Sequence, residues 1–284
     1  EIGSGLVGSE MCIRDSSKGK PFINLLPLDE GETITTVMKL PECEDDCKDM
    51  SIMFATSQGN VRRNSLMDFV NVQSNGKIAM KLDEGDKLIN VRICHEDNDI
   101  MLAARSGKCI RFPVTDVRVF VGRNSTGVRG IKLAEGDEVI SMSILLHSDA
   151  TSEERDEYAR IASAIKRISA ERGDDSCVSP EDTGLLNVLT TEKYKEMAER
   201  EQFILSVTST GYGKRTSSYE YRVTGRGGQG IANMEMSARN KEIVSSFPIE
   251  DDNQIMMVTD GGKLIRMPVS YTHLRAHETG AYLV

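Results

Sequence analysis

IMLAARSGKCIR, residues 100–111, is an apolar run that breaks at Ser106-Gly107 and resumes with an arginine four residues past the glycine. The same pattern runs from Ile52 to Gly59 and Arg63, from Ile204 to Gly211 and Arg215, and from Ile255 to Gly262 and Arg266. The isoleucine-to-glycine spacing is seven in all four. A short apolar run closed by small residues and a glycine reads as strand, tight turn, strand. Its return in fixed phase makes this a repeat protein, in which each unit buries its apolar faces on its neighbours.

Each unit has a second half. A glycine (Gly76, Gly127, Gly230) stands six residues before an apolar position (Leu82, Leu133, Met236), and two of these halves continue into Glu-Gly-Asp, at 84–86 and 135–137. Glu30-Gly31-Glu32 is the same turn in a unit whose first half is missing. The glycines of these turns lie 54 and 51 residues apart, the length of a propeller blade. SIMFAT and NVRR flank one turn, KIAMKL and KLINVRIC the other, so each unit is expected to supply two hairpins and four strands. The fold expected is all-β: a propeller or β-pinwheel of four-stranded blades, forming an incomplete ring. Residues 18–146 would hold a half blade and two full blades, and residues 201–268 a full blade and a half blade.

Ile100 and Ile204 are 104 residues apart, about twice the period, so residues 147–200 are an insertion between blades. Thr151 and Glu154 form a capping-box pair, Tyr158, Ile161, Ile165 and Ile168 follow at helical spacing, and TEKYKEMAEREQ suggests a second short helix. An apolar stripe of this kind is expected to pack on the parent domain, with partner binding as the lesser alternative. The two ends, residues 1–17 and 269–284, fit no part of the repeat and resemble translated sequencing-adapter sequence, so they are read as non-native tails. The H-x3-H spacing of His273 and His277 falls in the second tail and is set aside.

No apolar run approaches the length of a membrane span, and a soluble, cytoplasmic protein is expected. The six cysteines, several inside strand-like runs, suit a reducing compartment. Cys43 and Cys47 lack a second ligand pair and do not make a convincing metal site. The net charge of −9 argues against a nucleic-acid partner, but residues 147–200 hold 13 acidic against 8 basic residues and so carry −5 of it.

GKPFINLLPLDEGE (19–32), GVRGIKLAEGDEVIS (127–141), GYGKRTSSYEYRVTGRGGQG (211–230) and QIMMVTDGGKLIRMPV (254–269) resemble successive blades of the DNA gyrase A C-terminal domain family, in that family's order. The resemblance implies a hairpin-exchanged propeller whose basic outer rim bends duplex DNA, largely without regard to sequence. In the whole enzyme such a wrap lets ATP bound by the gyrase B subunit drive negative supercoiling. The resemblance also implies a nucleoid-associated protein that works with the gyrase A N-terminal region. That breakage-and-reunion region, with its catalytic tyrosine, and the glutamine- and glycine-rich box near the start of the family domain have no counterpart here. The segment is therefore expected to have no catalytic residue, metal or cofactor of its own, with ATP and Mg at the level of the holoenzyme, and neither to cleave nor to supercoil DNA alone.

Wrapping without sequence choice needs positive charge repeated along a curved surface. Arg63, Arg111, Arg215 and Arg266 occupy one equivalent position, with Arg62, Lys108, Lys214 and Lys263 beside the same turns. Arg123 and Arg226 occupy a second, in G-R-x-x-x-G segments, with Arg129, Lys132, Lys77 and Lys81 nearby. All fourteen are candidate DNA contacts. Surface salt bridges are the competing reading for any single one; recurrence in phase favours DNA for the set, and charge reversal at Arg111 and Arg215 is expected to weaken binding with little loss of folding. Gly225 to Gly230 has strand-like flanks and so fails as a dinucleotide loop. His95 and His147 are isolated, and the recurring acids of the Glu-Gly-Asp turns read as solvated turn residues. Two other readings stand: the homologous C-terminal domain of topoisomerase IV, and a protein-interaction propeller. GYGKRT and GVRGIKL favour gyrase over the first; missing G-H and W-D signatures and the absence of tryptophan weigh against the second.

Overall fold

The computed structural model describes residues 34–41, 45, 47–70, 78–122, 124–172, 178–237 and 240–269. Thirteen strands are present among them: β1 (Ser51–Thr56), β2 (Asn60–Ser65), β3 (Leu88–Cys94), β4 (Asn98–Ala104), β5 (Lys108–Pro113), β6 (Val128–Arg129), β7 (Val139–Leu146), β8 (Phe203–Thr208), β9 (Gly213–Ser217), β10 (Ile231–Ala232), β11 (Ile243–Ile249), β12 (Gln254–Val258) and β13 (Leu264–Pro268). They form antiparallel sheets in the orders β3-β1-β2-β6, β10-β5-β4-β7, β11-β8-β9 and β12-β13.

These orders correct one expectation. KIAMKL does not supply the fourth strand of its own unit: Lys77 lies outside the described residues, and residues 78–82 take no regular strand. The outer strand of the first sheet is β6, from the following unit, with Val61 opposite Val128 and Asn60 opposite Arg129. The second sheet repeats this exchange with β10, placing Cys109 opposite Ile231 and Lys108 opposite Ala232. The backbone follows suit: Gly130 N–H donates to Gly59 O and Asn233 N–H to Gly107 O, both at 2.8 Å. Glycine is required where the exchanged segment arrives. A Cβ at Gly127 (φ +92°) would meet Val61 O at 2.3 Å, and one at Gly230 (φ +74°) would meet Cys109 O at 2.3 Å.

Every residue of β4 is buried, because its two faces serve two neighbours. Ile100 and Leu102 pack with Met53, Ala55 and Val61 of the first sheet. Met101 and Ala103 pack with Ile204 and Tyr221 of the third unit. Strand periodicity thus turns a run of consecutive apolar residues into two inter-blade cores. β3, β7 and β11 contact one another in turn, which makes them the inner strands and β6 and β10 the outer edge.

The Glu-Gly-Asp turns latch the strand turns. Asp86 Oδ1 accepts from Ser57 Oγ (2.8 Å) and Gln58 N (2.9 Å); Asp137 accepts from Ser106 N (3.0 Å) and Ser106 Oγ (2.6 Å). Glu84 and Glu135 are exposed, as turn residues should be, but Asp86 is buried, because its carboxylate does the bonding.

Between β7 and β8 lie a long helix (Ser152–Arg172), a 3-10 turn (Glu181–Thr183) and a short helix (Thr191–Arg200). The capping box is formed: Thr151 N donates to Glu154 Oε2 at 2.7 Å and Glu154 N to Thr151 Oγ1 at 3.2 Å. Tyr158 and Tyr194 of the helices pack against Tyr219, which the third blade presents from a 3-10 turn. Tyr219 OH donates to Met197 O at 2.8 Å. Glu157 is buried yet needs no cation, since it accepts from the backbone N–H groups of Asn187, Val188 and Leu189, which hold its pKa below the ordinary carboxylate value. No helix among the described residues is long and apolar enough to cross a membrane.

Candidate nucleic-acid interface

In three of its four occurrences the recurring arginine is not on the surface. Arg63 and Arg111 are buried, and the Arg215 side chain is 5% exposed. Each one reaches back across its hairpin to the residue twelve positions earlier. Arg63 Nε donates to Ser51 Oγ (2.9 Å) and Nη2 to Glu96 (2.7 Å). Arg111 Nε donates to Asp99 (2.8 Å), which is itself fully buried, and its Nη groups donate to the carbonyls of Ser218 (2.7 Å) and Leu146 (2.8 Å). Arg215 stacks 3.9 Å from the centre of the Phe203 ring and pairs with Asp251 at 2.7 Å. Arg266 bonds Gln254 in the same way, but is exposed. Burial pulls the Arg111 pKa below its ordinary value even though Asp99 opposes it. In the first three units this arginine is a clamp that ties its hairpin to residues at or just past the end of the sheet, Glu96, Leu146 and Asp251, and Arg111 also reaches the third unit through Ser218 O.

Arg62 is also buried. Its guanidinium donates to Asn64 Oδ1 (2.9 Å) and to Ser125 O and Oγ (2.6 and 2.8 Å), and it lies over the Phe120 ring. Arg62, Arg63, Arg111 and Arg215 therefore do not present their charge at a rim. Lys77 and Arg123 lie outside the described residues. The other eight candidates, Lys81, Lys108, Arg129, Lys132, Lys214, Arg226, Lys263 and Arg266, are exposed.

Three of these come together at the outer edge. Arg226 Nη1 donates to Arg129 O (3.2 Å), Gly227 N to Gly130 O (2.6 Å) and Lys132 N to Gly228 O (2.8 Å), so the loop of one unit lies along the exchanged segment of the unit before it. Arg226 Nε is anchored on Asp116 O at 3.0 Å. Exposed Arg129, Lys132 and Arg226 thus surround a glycine loop without side-chain bulk. β10 follows that loop where a dinucleotide site needs a helix.

Two exposed cations of this edge were not among the sequence candidates: Arg118 and Arg222. Both begin an exchanged segment, and the valine after each bridges to the strand of the clamp arginine, Val119 to Arg63 and Val223 to Arg111. The signal was the Arg-Val pair repeated at a spacing of 104, the spacing that also separates Ile100 from Ile204. Arg118 lies 4.5 Å from the centre of the Phe120 ring. Chemically, this edge offers in-phase guanidinium and ammonium groups with open approach to the backbone, a combination suited to phosphodiesters.

No group of three or more His, Cys, Asp or Glu residues that could hold a metal occurs among the described residues. Cys43, His273 and His277 lie outside them. Cys94 and Cys109 are buried thiols whose pKa values burial pushes up to about 11 and about 12, so neither is a reactive nucleophile.

Comparison with known proteins agrees with the fold. The family described as "DNA gyrase C-terminal domain, beta-propeller" matches residues 51–95, 98–145, 202–249 and 253–270, which leaves the helical segment between matched stretches. The DNA gyrase A protein of Granulibacter bethesdensis is 48% identical over 93% of this chain, and the chain spans 29% of that relative's length. A solved C-terminal domain of DNA topoisomerase IV (TM-score 0.63, 18% identical) and one of DNA gyrase A (0.61, 20% identical) each cover 89% of the chain, which in turn covers 61% and 66% of theirs. At such identities these two establish shared fold only, whereas the family match covers more than half of the residues. The chain belongs to the DNA gyrase C-terminal domain family of β-propellers.

Proposed function

We propose that this chain binds and wraps duplex DNA along its outer edge, as the wrapping segment of a gyrase A protein. The observation that carries the reading is the in-phase placement of exposed cations on the exchanged segments: Arg118 and Arg222 in equivalent positions, and Arg129, Lys132 and Arg226 gathered at the contact between two units. Cations that recur in phase in the second and third units would meet phosphates of a bent duplex at successive points, and released counterions supply the affinity. Nothing in this arrangement reads bases, so binding is expected to be largely independent of sequence. In the holoenzyme the wrap would present one duplex segment to another, with the gyrase A N-terminal region and gyrase B supplying cleavage and ATP. The cytoplasmic nucleoid is the corresponding location. The topoisomerase IV reading shares the fold; the 48% identity to a gyrase A protein favours gyrase.

The test is to bind residues 18–269 to nicked circular DNA, ligate, remove the protein and read the linking number. A shift that grows with protein and fades with salt is the expected result. Binding without a shift would mean contact without chiral wrapping, and absence of binding would overturn the proposal.

A further inference from the structure

We infer that His147 is a pH-sensitive latch that holds the base of the helical insertion to the second blade. His147 is the first residue after β7, where the blade ends and the insertion begins. Its Nδ1 lies 2.7 Å from Asp99 Oδ1 and its Nε2 lies 3.1 Å from Asp149 Oδ1. Two carboxylates, which only accept, therefore face the two ring nitrogens. A neutral imidazole has one N–H and answers one of them, leaving a lone pair against the other carboxylate; the imidazolium answers both.

The two carboxylates belong to different bodies. Asp99 is fully buried in β4 and its second oxygen is held by Arg111, so it is fixed to the blade. The Asp149 side chain is 94% exposed and belongs to the insertion. Proton occupancy on His147 decides whether the Asp149 arm is drawn in or repelled. Further groups face the ring from the elements around it. Lys193, Glu196 and Arg200 of the short helix and Tyr219 of the third blade share its cavity, and Arg200 Nη2 donates to His147 O at 3.1 Å. Glu196 answers both cations, 3.1 Å from Lys193 and 3.9 Å from Arg200. Asp97 contributes its carbonyl, which accepts from His147 N.

Partial burial works against the charged ring, and the bonds and charges of Asp99 and Asp149 outweigh it, so the His147 pKa is raised above its ordinary value. A group with a raised folded pKa stabilises fully below its unfolded pKa and loses that contribution as pH rises through the folded one. The insertion is therefore held more tightly on the acid side of the His147 titration. Asp99, clamped by Arg111, stays in place throughout.

The experiment follows the full chain by NMR across the histidine range, with ring nitrogen shifts reporting His147 and amide protection factors reporting the insertion. Protection over residues 150–172 and 185–200 is expected to fall roughly three- to tenfold as the ring loses its proton, the worth of one hydrogen bond. Blade amides are expected to hold. Asp149→Asn, at an exposed position that does not threaten folding, should lower the midpoint and shrink the step, and His147→Gln should abolish it. The inference is overturned if the ring titrates without a change in protection, or if the step survives unchanged in Asp149→Asn.

Discussion

Arg111 and Arg226 are alike in the sequence and opposite in the structure. Replacing Arg111 with methionine leaves Asp99 Oδ2 buried without its cation, with only His147 still bonded to the carboxylate, and is expected to cost about 3–5 kcal/mol, read as a fall in the urea midpoint. The idea that charge could be reversed there with little loss of folding is thereby withdrawn. Arg226→Gln gives up two exposed hydrogen bonds, to Asp116 O and Arg129 O, and is expected to cost about 1–2 kcal/mol, well below the loss at Arg111. Its effect should appear in DNA binding, where loss of one phosphate contact lowers the slope of log affinity against log salt by about 0.9. An unchanged slope would remove Arg226 from the interface. The recurrence of the arginine was legible; its burial was not. The residue it bonds twelve positions earlier is Ser51, Asp99, Phe203 or Gln254 depending on the unit, so no recurring acid reveals the clamp. A structural contact can recur in phase when the fold itself recurs.

Among the elements, the Glu-Gly-Asp turns and the exchanged segments depend on glycine for two separable reasons. Gly85 has a φ of +76° and open space at its Cβ position, whereas Gly127 combines a φ of +92° with the Val61 carbonyl. Gly85→Ala should lose the backbone cost alone, roughly 1–3 kcal/mol. Gly127→Ala should lose more and melt lower by calorimetry, since β6 can no longer reach β2; equal losses would deny the close approach. The helical insertion was readable from its capping box, and Thr151→Ala is expected to cost about 0.5–2 kcal/mol, seen as faster amide exchange in the first turn of the long helix. KIAMKL misled because strand-like composition does not supply a partner: its equivalents β6 and β10 are strands through pairing with the sheet before them, whereas residues 78–82 take no regular strand. Exchange between units uses the same residue types as a hairpin within one.

Over the whole molecule, the insertion occupies what elsewhere is a short link. Residues 95–97 join the first sheet to the second and residues 250–253 join the third to the fourth. Leu146 N donates to Gln202 Oε1 at 2.7 Å, so the two ends of the insertion lie side by side. Replacing residues 148–200 with a four-residue turn is therefore expected to leave a cooperatively melting β-protein with unchanged strand signal in far-UV circular dichroism. Loss of cooperativity would mean that the tyrosine cluster around Tyr219 holds the second and third blades together. If DNA affinity rises in the shortened chain, the acidic insertion opposes binding through its field.

The repeat, its period, the strand turns, the place of the insertion and its helices could all be read along the chain, because they follow from local periodicity and turn chemistry that recur in phase. Exchange of strands between units was implied by the family resemblance alone; which segments make it, which arginines are clamps and which are exposed, and the meeting of Arg129, Lys132 and Arg226 became visible only in the folded molecule. The reason is physical: a strand pairs through backbone groups that every residue shares, and a long cation serves equally at a buried clamp or in water. The choice between these is made by what the neighbouring unit places opposite, and that neighbour lies about fifty residues away or, across the insertion, about a hundred.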